Sequence, residues 1–218
     1  MFVAVVAMIA FSACSKEEDG ETLKTLDDLT LFAGQEISLP QKGNWTSDNE
    51  FVTSISSSCI KAIHCGTANI RLQQGREILT CKVEVVPRFS VYEEPVLEWG
   101  KTPSEIQKKE KGVFQNSYFD KNTGYKNFLF KRSGRVESLA VYSFKNDELV
   151  MASILLDTFD ALNVPEMIKE RYEFASIKDG TTLYAHMTPT DGGKGLKVDY
   201  GVSVIIGKDN VFISYIKS

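Results

Sequence analysis

Side chains able to do chemistry are scarce in these 218 residues, which hold two histidines and four cysteines. His64 and Cys65 stand side by side and could be pictured as base and nucleophile, or as two metal ligands. Adjacent residues of a strand point to opposite faces, however, and no third ligand or orienting acid is suggested nearby. The other histidine, His186, lies in the run Leu183-Tyr184-Ala185-His186-Met187. If Leu183, Ala185 and Met187 face a core, His186 faces solvent. Asp157, Asp160 and Glu166 could gather as carboxylates for calcium or acid–base work, yet a loop leading into a helix N-terminus favours negative charge for its own reasons. Asp191-Gly192-Gly193-Lys194-Gly195 is glycine-rich without the spacing of a phosphate loop, and reads as a hairpin tip. The motifs G-x-S-x-G, H-E-x-x-H and C-x-x-C do not occur. The expectation is a protein that is not an enzyme, with no catalytic residue, metal ligand or cofactor assigned.

A different chemistry is open to Cys14. The apolar run MFVAVVAMIAF closes on Phe11-Ser12-Ala13-Cys14 and gives way to Ser15-Lys16-Glu17-Glu18-Asp19. That run is shorter than the roughly 20 apolar residues a bilayer span needs, so it reads as the core of a signal peptide. No Lys or Arg precedes it, which suggests a true start upstream of Met1. The segment resembles a bacterial lipoprotein signal. The resemblance implies removal of residues 1–13 and acylation of the Cys14 thiol and its new amino group, with residues 14–22 as a tether. Lys16-Glu17-Glu18-Asp19 is also similar to the acidic export signal of Bacteroidetes surface lipoproteins. What it implies is an outer-membrane, lipid-anchored protein facing the cell exterior, the alternative being the periplasmic face.

With 43% hydrophobic and 25% charged residues, the remainder is long enough for two domains with their own cores. A net charge of -4 and a pI near 5.4 argue against nucleic acid as a partner. Lys108-Lys109-Glu110-Lys111 and Lys131-Arg132 read as solvated faces.

From Leu23 to Val86, strands of period two alternate with turns marked by Gly34, Pro40, Gly43, Gly66 and Gly75. Asn44-Trp45-Thr46-Ser47-Asp48-Asn49, Phe51-Val52-Thr53-Ser54-Ile55, Ile60-Lys61-Ala62 and Gly66-Thr67-Ala68-Asn69-Ile70 follow in order. This succession resembles the bacterial immunoglobulin-like domain, group 2, and implies an all-β sandwich over residues 23–86. Cys59 departs from the pattern, standing where the family often has glycine. Trp45 is expected as a core plug rather than a carbohydrate platform, and Cys81, in phase with Leu79, Val83 and Val85, as a core hydrophobe. Cys59 and Cys65 flank an extended segment of up to roughly 20 Å, too long for one disulfide.

Residues 87–100, with Pro87 and Pro95, read as a short linker. Residues 101–218 then show one order of elements twice. Thr102-Pro103-Ser104-Glu105 is a capping box opening a helix that Gly112 ends, and strands follow over 113–119, 125–131, 135–144 and 149–156. Asn163-Val164-Pro165-Glu166 opens a second helix through Tyr172, with strands over 174–177, 182–187, 196–206 and 211–216. The pattern predicts an α+β domain of tandem αββββ repeats, an antiparallel sheet with both helices on one face. In element order alone it is similar to beta-lactamase-inhibitor-protein-like folds. Tyr118, Tyr125, Tyr142, Tyr184, Tyr200 and Tyr215 make either a core or, on an uncovered face, a platform for glycan or protein. The favoured reading is a non-catalytic envelope or surface protein whose spacer presents a C-terminal binding domain. An inhibitor or accessory subunit is the alternative, and an enzyme of unrecognised type the second.

Overall fold

Alternating polarity without long amphipathic helical stretches produces a mostly β chain with antiparallel sheets. The computed structural model describes residues 15–18, 21–134, 136–190 and 195–218, with backbone alone at 15–18 and 160. Cys14, the segment before it and Asp191 to Lys194 of the glycine-rich tip therefore lie outside the described residues. Two compact units emerge, one from the residues up to Pro87 together with the described residues of 189–196, and the other from Arg88–Thr188 and Lys197–Ser218.

In the first unit, β1 (Ser15–Glu18), β2 (Glu21–Thr25), β3 (Leu29–Phe32), β5 (Trp45–Ser47), β8 (Gly66–Gln74) and β9 (Glu77–Val86) share one sheet. A second sheet has the order β4 (Glu36–Ser38), β7 (Cys59–Ala62), β6 (Thr53–Ser56). Both β2 and β3 run parallel to β9, while every other pairing is antiparallel. Part of the stretch expected as a free tether is thus sheet, since Ser15–Glu18 pairs with β2. Ala68, Ile70 and Leu72 of β8 and Leu79, Cys81, Val83 and Val85 of β9 turn one face inward, where Trp45, Phe51 and Ile60 are also buried. Each such aliphatic side chain contributes about 1.5–3 kcal/mol. Gly66 is required by close packing: at its φ of 147° a Cβ would sit 2.9 Å from Val52 Cγ2.

The second unit is one eight-stranded sheet. Its strands are β10 (Val113–Asp120), β11 (Tyr125–Arg132), β12 (Ser138–Lys145), β13 (Glu148–Asp157), β14 (Glu173–Lys178), β15 (Thr181–Pro189), β16 (Leu196–Ile206) and β17 (Asn210–Lys217). The spatial order β10-β11-β12-β13-β17-β16-β15-β14 reads outward from the centre as the same succession in both directions. The two runs of four consecutive strands therefore meet through their last strands, with Ser153 facing Ser214. Helix α1 (Pro103–Lys109) and helix α2 (Val164–Lys169) bury Ile106 and Val164, Met167 and Ile168 in one core with Phe130, Tyr142, Ile154, Tyr200, Ile213 and Tyr215 of the sheet.

Three local expectations are revised. Residues 88–100 are no linker: Val91 and Tyr92 are buried in that core, and Phe89, Val96, Leu97 and Trp99 pack against it, because this apolar segment fills space two short helices leave open. Helix α1 has its capping box, with Glu105 N donating to Thr102 Oγ1 and Thr102 N to Glu105 Oε2, but it ends at Lys109, before Gly112. Helix α2 has no side-chain cap at Asn163, whose φ of -100° and ψ of 10° are not extended. The 3-10 turn Phe159–Ala161 and helical Leu162 already feed the chain in from that side.

Candidate functional site

In the first unit His64, Cys81 and Trp45 are packed inside. His64 is buried, its ring stacked on Phe51 with centroids 4.2 Å apart, and its Nδ1 lies 2.8 Å from the Phe51 carbonyl, which can only accept. That places a proton on Nδ1. The Cys81 thiol donates to Asp27 O at 3.1 Å, and burial together with nearby Asp28 pushes its pKa up to about 11, so it is not a nucleophile near neutrality. Cys59 Sγ lies 3.8 Å from Ser38 Oγ. Trp45 is buried and its Nε1 donates to Gln41 O.

In the second unit the described carboxylates of the Asp157, Asp160 and Glu166 group have local partners. Asp157 accepts from the Phe159 amide and Glu166 pairs with Lys169, while the side chain of Asp160 is outside the description. Among the described residues no three His, Cys, Asp or Glu side chains converge as a metal site would need.

The polar groups that do converge hold the 88–100 strap over the sheet. Arg132 donates from Nε and Nη2 to the two oxygens of Glu110, and from Nη1 to the carbonyls of Glu93 and Glu94. Tyr142 OH also donates to Glu110 and accepts from the Val96 amide. The Arg132 side chain is 11% exposed and that of Glu110 is 0%. Burial pushes the Glu110 carboxyl up, but hydrogen bonds from Arg132, Tyr142 and Gly112 N–H outweigh it and hold the group below its ordinary value. Neither basic cluster is therefore simply a solvated face. Beside this knot opens a cleft of about 340 Å³, lined in part by Ser90, Lys111, Arg132 and Ser133. Arg132 spends its donors on its own chain, so the guanidinium does not present them to this cleft.

Further along the strap, Tyr172 OH donates to Glu94, and the hydroxyls of Tyr92 and Tyr215 lie 2.6 Å apart. Burial raises the pKa of Tyr92, Tyr142, Tyr172, Tyr200 and Tyr215, which remain neutral phenols. His186 is on this side too, stacked on Tyr200 with centroids 4.6 Å apart and edge-on to Tyr172, its Nδ1 3.3 Å from Asp199. The solvent-facing expectation for His186 is overturned: Tyr184 and His186 take the core side, leaving the opposite one to Leu183, Ala185 and Met187. Tyr142, Tyr184, Tyr200 and Tyr215 are core, and only Tyr118 and Tyr125 of the six retain appreciable exposure.

The opposite face of the sheet carries the unexpected feature. Directly paired residues share a face, so the registers give three rows across β12, β13, β17 and β16. They are Leu139-Leu155-Phe212-Ile205, Val141-Ser153-Ser214-Ser203 and Ser143-Met151-Ile216-Gly201. None of these positions is charged. The outward positions of β8 and β9 in the first unit include Arg71, Lys82 and Glu84, as a solvated sheet face should. In the middle row Ser153 and Ser214 are buried between the larger rows, their hydroxyls 2.9 Å apart, while Ile205 and Ile216 are 43% and 44% exposed.

No protein-family model matches the chain, and no curated protein matches it. The strap and the uncharged face both escaped sequence reasoning. The signal for the strap was its density of apolar residues, six within 88–100, and the signal for the face was apolar residues at both phases of β13 and β17.

Proposed function

We propose that this is a lipid-anchored, non-catalytic cell-envelope protein, tethered through Cys14, in which an immunoglobulin-like spacer carries a sheet domain that binds a protein partner. The observation that carries the binding half is the uncharged face of β12, β13, β17 and β16, on which Ile205 and Ile216 are exposed, since exposed apolar side chains on a sheet face without charges favour an interaction site. A protein partner suits it better than a glycan, because four of the six candidate platform tyrosines are spent in the core. The spacer reading is supported by the division of strands: if β4 to β9 are B, C, D, E, F and G of an immunoglobulin-like domain, the sheets β4-β7-β6 and β9-β8-β5 correspond to BED and CFG. The tandem αββββ reading, with both helices on one face, is supported by the palindromic strand order and the single core that α1 and α2 share. The lipid anchor rests on the residues around Cys14, with the cell surface favoured by the acidic run after it.

The test is made in cells producing the full chain. Mass spectrometry is expected to find Cys14 acylated and residues 1–13 removed, and protease added to intact cells to cleave the protein. A photo-crosslinking side chain at Ile205 or Ile216 is expected to trap a second protein of defined mass, and one at Arg71 to trap none. Adducts at neither isoleucine position, or an unprocessed leader, would overturn the proposal.

A further inference from the structure

Strand β14 ends the eight-stranded sheet, and all six of its residues are exposed. Among the described residues it pairs only with β15, so its other backbone edge is open to a further strand. Phe174 and Ile177 on it are 54% and 68% exposed. A bulge sets which side chains share a face. Phe174 lies opposite Tyr184 and Ser176 opposite Leu183, so Ala175 is the extra residue. Phe174 and Ile177 thereby come to one face, and Glu173, Ser176 and Lys178 to the other. In an unbulged strand, residues five apart such as Glu173 and Lys178 would point oppositely.

This arrangement is self-complementary. A twofold axis normal to a sheet carries each strand onto an antiparallel neighbour and keeps faces the same, so residues that meet across it must share a face within their own strand. The bulge supplies that condition. With the axis at the bulge, Glu173 meets Lys178 of the second copy and Phe174 meets Ile177, each contact made twice. Opposite charges lie at equal distances from the centre, with the apolar pair on the other face. The far edge of the sheet lacks this property: β10 is equally exposed, but Asp120 is its only charged residue and has no opposite charge within the strand to face. Bulges and charges on an edge strand commonly keep strands apart. Here their signs and spacing do the reverse for one partner, a second copy. We propose that two copies of this chain pair antiparallel along β14, so that one continuous sheet runs through both. This goes beyond the binding role proposed for the sheet face, and fails or holds separately from it.

Sedimentation equilibrium of the purified full chain tests it. The wild type is expected to dimerise with a concentration-dependent mass. Lys178→Glu, which sets Glu against Glu at both ends of the junction, is expected to raise the dimer dissociation constant by about tenfold or more. The double variant E173K/K178E, with the charges exchanged, is expected to regain dimerisation. Unchanged circular dichroism and thermal unfolding of each variant show that the fold is intact. A wild type that stays monomeric throughout, a K178E variant that dimerises as well as the wild type, or an exchanged variant that does not recover would overturn the proposal.

Discussion

At Glu110 the second unit stakes its stability on one buried carboxylate. Removing one partner of a buried pair strands the other charge, so Glu110→Gln is expected to cost about 3–5 kcal/mol at neutral pH, measured by urea unfolding. The pH dependence has a definite sign. A carboxyl held below its ordinary 4.5 in the folded state contributes stability that is complete above the unfolded value and is lost as pH falls through the folded one. Wild-type stability should therefore fall on acidification below that range, and E110Q should fall less steeply. Little of this was legible beforehand. Lys108, Lys109 and Lys111 surround Glu110 in sequence, and a carboxylate among lysines reads as solvated; its actual partners, Arg132 and Tyr142, lie 22 and 32 residues away. Cys81 shows the opposite case, because period two in β9 was enough to turn it inward. His186 was misplaced by the same reasoning, since Leu183, Ala185 and Met187 are as apolar as a core face requires and the choice was made by Tyr172 and Tyr200, far off in sequence.

Among the elements, strands were legible and the strap was not. The sequence-predicted range 196–206 coincides with β16, and the other strands of the second unit differ from expectation mainly at their ends, because alternation and turn residues such as Gly124 and Gly180 are local signals. Residues 88–100 have no period, and Pro87 and Pro95 suggested a spacer. Its integral role gives a sharp expectation: residues 88–218 should unfold in one cooperative thermal transition with a strong near-ultraviolet aromatic signal, and residues 101–218 should lack that signal. Losing the strap uncovers Tyr142, Tyr172 and Tyr215 and takes Tyr92 away from Tyr215, and a buried aromatic is worth about 3–5 kcal/mol by truncation. Comparable melts for the two fragments would return the segment to the status of a spacer.

Over the whole molecule, each unit carries one of the two tryptophans, Trp45 in the first and Trp99 in the second. Separate cores should unfold at separate denaturant midpoints, so Trp99→Phe and Trp45→Phe variants, followed by fluorescence, are expected to give two non-coincident curves. Coincident curves would mean that the units unfold as one. The palindromic sheet also fixes an order of assembly. β17, the last of the eight strands to be synthesised, fills the middle of the sheet between β13 and β16, and the strands made first and fifth lie at its rims. A nascent chain halted anywhere before residue 210 thus has two half-sheets and nothing to join them, so closure of this unit waits until residues 210–217 have come free.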